Sequence, residues 1–259
     1  MGEEPRRISV TAERNVSLQG TKAFRQGDYL IYLRDSDVGA FIVEALLPEP
    51  DRLLATGEEL VTAWYAGNTL KGSFNCRGKD YFYKKYQPKG FLYGIKNILR
   101  LSRALRAWHY SETFNRASIP TVAPILCVEK RRFGLLGPSY LVFPLMSGWD
   151  NLLTLWDRIT DDQKLECMRV LGGVIGKMHR HGILHGDLNW RNLMLSTGPS
   201  GMQAIIIDLD GCKRVNKMDI SLMEADLAHF VRDIERAGAE KWIWETFQRS
   251  WQSAVEQGY

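Results

Sequence analysis

Residues 183–195, ILHGDLNWRNLML, decide the reading of the whole chain. The stretch runs apolar, then polar, then apolar again. His185, Gly186, Asp187, Asn189 and Asn192 sit between two short hydrophobic pieces. That is the pattern of a polar loop held between two buried strands. Asp187 and Asn192 stand five positions apart, the spacing H-x-D-x-x-x-x-N of a phosphoryl-transfer loop. Residues 204–211, AIIIDLDG, complete the pattern, with Asp208 directly after three isoleucines.

Phosphoryl transfer needs a carboxylate beside the acceptor hydroxyl, to orient it and take its proton. It also needs Mg²⁺ against the charge of ATP, with hard oxygen ligands to hold the metal. Asp187 suits the first task, and Asn192 and Asp208 suit the second. A bland polar hairpin explains the loop alone. It does not explain the hydrophobic frame, the spacing and the second acid together.

A chain of 259 residues can bury a full core as one large domain or two lobes. Its 45% hydrophobic and 25% charged content is ordinary for a globular protein. A net charge of +4 is too weak to argue for nucleic acid, and no zinc finger or RNA-binding signature accompanies it. Cys76, Cys127, Cys167 and Cys212 are scattered without a C-x-x-C pair, so reduced thiols are expected. The N-terminal MGEEPRRISV lacks the apolar core of a secretory signal. The longest uncharged run, 134–148, contains two prolines and is too short to span a bilayer. A soluble or peripheral protein is expected.

Residues 29–34 (YLIYLR) and 39–46 (GAFIVEAL) read as strands, and residues 60–65 are apolar and rich in β-formers. Residues 70–86 read as a hairpin turning at 75–80, with YFYKKY as its second strand. A kinase places a Lys on this strand for the α- and β-phosphates. Period-two alternation sends Lys84 and Lys85 to opposite faces, so only one enters a cleft. Lys84 is favoured, with Phe82 beside it where an adenine would lie. No G-x-G-x-x-G precedes the strand, and Gly67 and Gly72 read best as turn glycines.

Residues 94–115 read as a helix with Lys96, Arg100, Arg103 and Arg106 near one face. Between Lys84 and Arg106 there are seven basic residues and no acid. This is either a solvated face or a basic surface for an anionic substrate or leaflet. Glu112 is the sole acid between Asp80 and Glu129, hence the candidate partner for the strand Lys. Strands follow at 124–130 and 139–145. The run 144–148 (PLMSG) suits a hinge, where the Pro144 carbonyl could accept from the adenine amino group and the Met146 N–H donate to the ring.

Thr160 and Gln163 form a capping box that opens a helix to about Arg180, ended by Gly182. Leu165, Met168, Leu171, Val174, Ile175 and Met178 form its core stripe. A metal cluster of His179, His181, His185 and Asp187 fits the spacing less well than a kinase loop does. Asp226 opens EADLAHFVRDI, a helix; it either holds the loop backbone from below or is a helix N-terminal acid. In the tail, Trp244, Phe247 and Trp251 fall at helical spacing as a packing face.

HGDLNxxN at 185–192, IDLDG at 207–211, YKKY at 83–86, SRALRAW at 102–108 and IPT at 119–121 together resemble the lipopolysaccharide kinase family. Its members phosphorylate heptose or Kdo sugars of the lipopolysaccharide inner core. The resemblance implies an α+β, bilobal protein-kinase-like fold with an antiparallel-sheet N-lobe and a short, mainly helical C-lobe. Residues 1–147 would form the N-lobe, with 1–60 an extension of unclear role and 61–147 the nucleotide-binding part; 148–259 would form the C-lobe. It implies Asp187 as catalytic base, Asn192 and Asp208 as Mg²⁺ ligands and Lys84 as the phosphate-binding Lys. ATP and Mg²⁺ are the implied cofactors. The implied partner is an anionic glycolipid, the lipopolysaccharide core precursor, at the cytoplasmic face of the inner membrane, with peripheral membrane contact and no nucleic acid.

Asn189 stands where Ser/Thr kinases carry Lys, Asp210 replaces the Gly of D-F-G, and no A-P-E follows. All three features favour a non-peptide acceptor. The family's helix acid falls nearer 107–108, where this chain has Ala107 and Trp108, so a Lys84–Glu112 pair departs from the pattern. Two alternatives stand beside this reading. One is a soluble small-molecule phosphotransferase of aminoglycoside or choline kinase type; the other is a nucleotide-binding pseudokinase.

Overall fold

Alternation of large apolar side chains organises the first part of the chain into a seven-stranded sheet. The computed structural model describes residues 21–34, 42–43, 60–66, 69–88, 101–198, 201–216 and 219–257. It contains two compact units, Met1–Ala104 with Pro124–Phe143, and Leu105–Ala123 with Pro144–Tyr259. The sheet belongs to the first unit. Its strands are β1 (Thr21–Gln26), β2 (Tyr29–Arg34), β3 (Leu60–Ala66), β4 (Thr69–Cys76), β5 (Lys79–Tyr86), β6 (Leu126–Arg132) and β7 (Leu135–Pro144). They lie in the order β1-β2-β6-β7-β5-β4-β3.

Two hairpins in this sheet have turns of the same kind. Arg77 and Gly78 take φ of 52° and 73°, and Phe133 and Gly134 take 51° and 81°. Positive φ at both central residues matches the right-handed twist of the flanking strands. The β4–β5 turn is therefore tighter than the six residues expected. Asn75 and Asp80 remain in register, and the Asn75 amide donates to Asp80 Oδ1 at 2.8 Å.

One face of the sheet is apolar and aromatic. Ile31, Leu33, Phe74, Tyr81, Tyr83, Leu126, Val128, Tyr140 and Val142 are buried in one cluster with Ile42 and Val43. Residues 39–46 were expected to be a strand. Ile42 and Val43 are helical instead, and the rest of that segment lies outside the described residues. The covering of this face has overridden the β-propensity of two branched side chains.

The helix expected over 94–115 is described from Leu101 onward. Helix α1 spans Arg103–Arg116, and Leu101 and Ser102 are not helical. The Ser102 N–H donates to the fully buried Glu129 at 3.0 Å, which fixes where the chain turns into the helix. The Arg103 guanidinium lies 4.7 Å from the Tyr86 ring centroid, so it serves packing rather than a solvated face. Lys96 and Arg100 lie outside the described residues.

In the second unit, α2 (Leu152–Leu155), α3 (Asp161–Arg180), α4 (Ile220–Arg236) and α5 (Lys241–Glu256) accompany two small sheets. One is β11-β10-β8, from Gly201–Ile206, Leu193–Gly198 and Asp150–Asn151. The other pairs β12 (Lys213–Arg214) with β9 (Ile183–Leu184). The capping box opens α3 as expected: Gln163 N donates to Thr160 Oγ1, and Thr160 N donates to Gln163 Oε1.

Helix α3 packs on α5 through glycines. A Cβ on Gly172 would lie 2.7 Å from the Phe247 carbonyl oxygen, and one on Gly176 would lie 2.6 Å from that of Trp251. Small residues four apart let the two backbones approach closely enough for Ser250 Oγ to donate to the Arg169 carbonyl at 2.7 Å. Phe247 and Trp251 are buried, as the tail's spacing indicated, and Trp244 stacks on Phe247 with centroids 5.3 Å apart.

Candidate active site

The polar loop leaves β9 at Leu184 and enters β10 at Leu193, so the two hydrophobic pieces are the strands expected of them. Between them Trp190–Asn192 form one 3₁₀ turn. Helix α4 lies against this loop with two adjacent stripes. Met223, Leu227, Phe230 and Ile234 are buried in the unit's core. Asp226, His229 and Asp233, at steps of three and four residues, face the loop.

Asp226 secures the start of the loop. Its carboxylate accepts from His185 N at 2.8 Å and Gly186 N at 2.7 Å. His179 Nε2 reaches the same carboxylate at 3.2 Å. Trp251 Nε1, which can only donate, bonds His179 Nδ1 at 3.0 Å. His179 therefore carries its proton on Nε2 and donates it to Asp226. Burial pushes the Asp226 carboxyl up, but the bonds from His179 and the two backbone N–H groups outweigh it and hold the group below the ordinary value. Of the two readings of Asp226, the one holding the loop from below is the one seen. Asp233 supports the other end of the loop, accepting from Trp190 N at 3.0 Å.

His185 ties the loop to the strand beside it. Its Nδ1 accepts from Asp187 N at 3.3 Å, so its Nε2 donates to the Ile207 carbonyl at 3.0 Å. Ile207 N in turn donates to the Asn192 carbonyl at 2.9 Å. Asp208 is the next residue, and it takes a left-handed conformation, φ 67° and ψ 51°. A non-glycine residue held there carries about 1–3 kcal/mol of strain. Gly186, at φ 80°, leaves no room for a side chain: a Cβ would stand 2.8 Å from the Gly211 carbonyl oxygen.

Asp187, by contrast, is half exposed. Its Oδ1 accepts from Asn189 Nδ2 at 2.9 Å and lies 3.1 Å from His229 Nδ1. Asn192 Nδ2 donates to the Asp187 main-chain carbonyl at 2.9 Å and approaches Oδ2 at 3.4 Å. The Asn192 amide thus turns its nitrogen toward Asp187, leaving a carbonyl oxygen as its other end. That oxygen and the Asp208 carboxylate are hard donors of the kind Mg²⁺ takes. Among the described residues no group of three or more His, Cys, Asp or Glu could hold a metal, so the weaker histidine-cluster reading finds no support.

The loop residues Asp187 and Asn192 are in direct contact, and Asp208 follows the residue bonded to Asn192. Glu112, Pro144 and Met146 belong to the same unit, and Lys84 belongs to the other. Glu112 is buried in α1. On β5, Lys85 lies on the face of Tyr81 and Tyr83, with its Nζ 5.8 Å from the Tyr140 ring centroid. Lys84 is on the opposite face with Phe82 and Tyr86, and both lysines are buried. His229, Asp233, His179 and Trp251 were not foreseen as parts of the site. The i, i+3, i+7 recurrence of Asp226, His229 and Asp233 could have signalled the first two; no local pattern points to His179 and Trp251.

Comparisons with known proteins bear on the fold and the family. A solved structure of WaaP in complex with acyl carrier protein superposes with a TM-score of 0.60, 16% identity, and coverage of 82% of this chain and 86% of that one. The Rio2 kinase of Chaetomium thermophilum, in an ADP/Mg²⁺-phosphoaspartate complex, gives 0.52 and 13%, covering 92% and 82%. The fold is protein-kinase-like and α+β, as the motifs implied. A 3-deoxy-D-manno-octulosonic acid kinase of Haemophilus influenzae (strain PittEE) is 24% identical over 183 residues, covering 62% of this chain and 75% of its own. The family model described as lipopolysaccharide kinase (Kdo/WaaP) matches residues 64–251. The chain belongs to that family and is thereby a kinase of the lipopolysaccharide class.

Proposed function

We propose that this protein transfers the γ-phosphoryl group of ATP to a hydroxyl of a heptose or Kdo sugar in the lipopolysaccharide inner core. The observation that carries the proposal is the direct contact of Asp187 with Asn192, in a loop whose Asn192 carbonyl accepts from the residue before Asp208. Asp187 orients the acceptor hydroxyl and receives its proton. Asn192 and Asp208 hold magnesium, which when bound offsets the charge on the phosphates. Lys84 binds the phosphates, with Glu112 as its proposed partner. The Pro144 carbonyl and Met146 N–H position the adenine.

No described helix is long and apolar enough to cross a membrane. Action on a lipid-linked sugar at the cytoplasmic face of the inner membrane is part of the same proposal. It is tested by incubating the protein with γ-labelled ATP and purified acceptors: a Kdo-terminated precursor, a heptosylated precursor, an aminoglycoside, choline and a peptide. Label on one of the two core precursors is the expected result and names the sugar. Label only on a free small molecule, or on nothing despite ATP binding, would overturn it.

A further inference from the structure

We infer that His229 is a positioning residue for Asp187 and gives the two oxygens of that carboxylate different work. The inference rests on Asp187 being the base. Oδ1 is engaged twice, by Asn189 Nδ2 at 2.9 Å and His229 Nδ1 at 3.1 Å. Oδ2 has a single approach, from Asn192 Nδ2 at 3.4 Å, and that amide makes its shorter bond elsewhere. A carboxylate pinned by two donors at one oxygen cannot swing about its last bond, so the other oxygen is presented in one direction. Oδ2 is therefore the oxygen that meets the acceptor hydroxyl.

The chemistry fixes the imidazole as well. An ionised carboxylate only accepts, so Nδ1 of His229 must carry a proton. In neutral His229 this selects the Nδ1–H form. The ring is delivered by a rigid support, since Asp226 three residues before it and Asp233 four after it both bind loop backbone. Those two carboxylates hold main chain. Of the three, His229 is the one that bonds a side chain of the loop itself, and that side chain is the reactive one. Both partners are about half exposed, 47% and 55%, so the pair contributes little to folding. An effect on turnover is then separable from an effect on stability.

The test uses three replacements that differ in where a donor sits. His229→Asn places an amide N–H near the position of Nδ1, His229→Gln places one near Nε2, and His229→Ala places none. The alanine and glutamine variants should lose about ten-fold in kcat, with KM for ATP and acceptor and the melting temperature unchanged, while the asparagine variant stays within about two-fold of wild type. Full activity in the alanine variant, or equal loss in all three, overturns the inference.

A second measurement needs no acceptor. ¹⁵N NMR of the imidazole should show the Nδ1–H form in the wild-type protein and lose that preference in Asp187→Ala. An Nε2–H form beside an intact Asp187 overturns the inference whichever substrate is correct. Failure of every acceptor to be phosphorylated would instead refute the functional reading and leave the NMR result standing.

Discussion

Two carboxylates, one within the loop and one on α4, belong to the same site in different surroundings. Asp226 lies beneath the loop with its side chain 3% exposed, and Asp187 lies on its rim with 55% exposed. Asp226 gathers two backbone N–H groups and a buried histidine. Asp187 accepts from side chains alone and keeps one oxygen largely open. A carboxylate saturated with donors is a poor base and a good anchor. One left half solvated can take a proton. The difference lies in the partners each acid has been given, since the residue type is the same.

Mutation can break this contrast at either end. Asp187→Ala should lower turnover by about 10³-fold while the thermal midpoint barely moves, because a half-exposed acid contributes little to folding. Measured activity near wild type would remove Asp187 from its role. Asp226→Ala should do the reverse first, costing about 3–5 kcal/mol in denaturant unfolding because buried donors are left without an acceptor. Its loss of activity should follow loss of structure.

Gly176→Ala sharpens the comparison from further away. Its new Cβ meets the Trp251 carbonyl, and forcing α3 off α5 should cost about 1–3 kcal/mol in the same unfolding experiment. Trp251→Phe removes the donor to His179 and keeps most of the ring, so a loss of about 1 kcal/mol is expected. The smallest effect is on pH. Asp226 is held below its ordinary value of 3.8, so its stabilisation is full above that value and is lost as pH falls through the depressed one. Denaturant unfolding of Asp226→Asn between pH 5 and 2 should show a flatter acid limb than wild type, and an equally steep limb would contradict the anchor role.

Much of this was legible in the sequence because it is local. The loop between two strands, the capping box at Thr160, and the pairing of Asp187 with Asn192 each span only a few residues. The partners that give each acid its character are not local. Asp226 is 41 residues from His185, and Trp251 is 72 from His179. Periodicity shows which face of a helix is polar and is silent on what lies opposite. For the same reason the stripe read from α3 omitted Gly172 and Gly176, although they are the contact itself. The helix predicted over 94–115 is broken at Leu101 and Ser102, because the Ser102 N–H is committed to buried Glu129 and α1 starts at Arg103, which charge spacing does not show.

Trp251 is 72 residues from His179 yet belongs to the foundation of the 185–192 loop, through His179 and Asp226. A nonsense codon at position 251 would leave most of α5, residues 241–250, in place. It would still strip the indole from that relay and expose the glycine face of α3. Premature stops and frameshifts within α5 should therefore behave as losses of function, and an affinity tag should leave that helix intact.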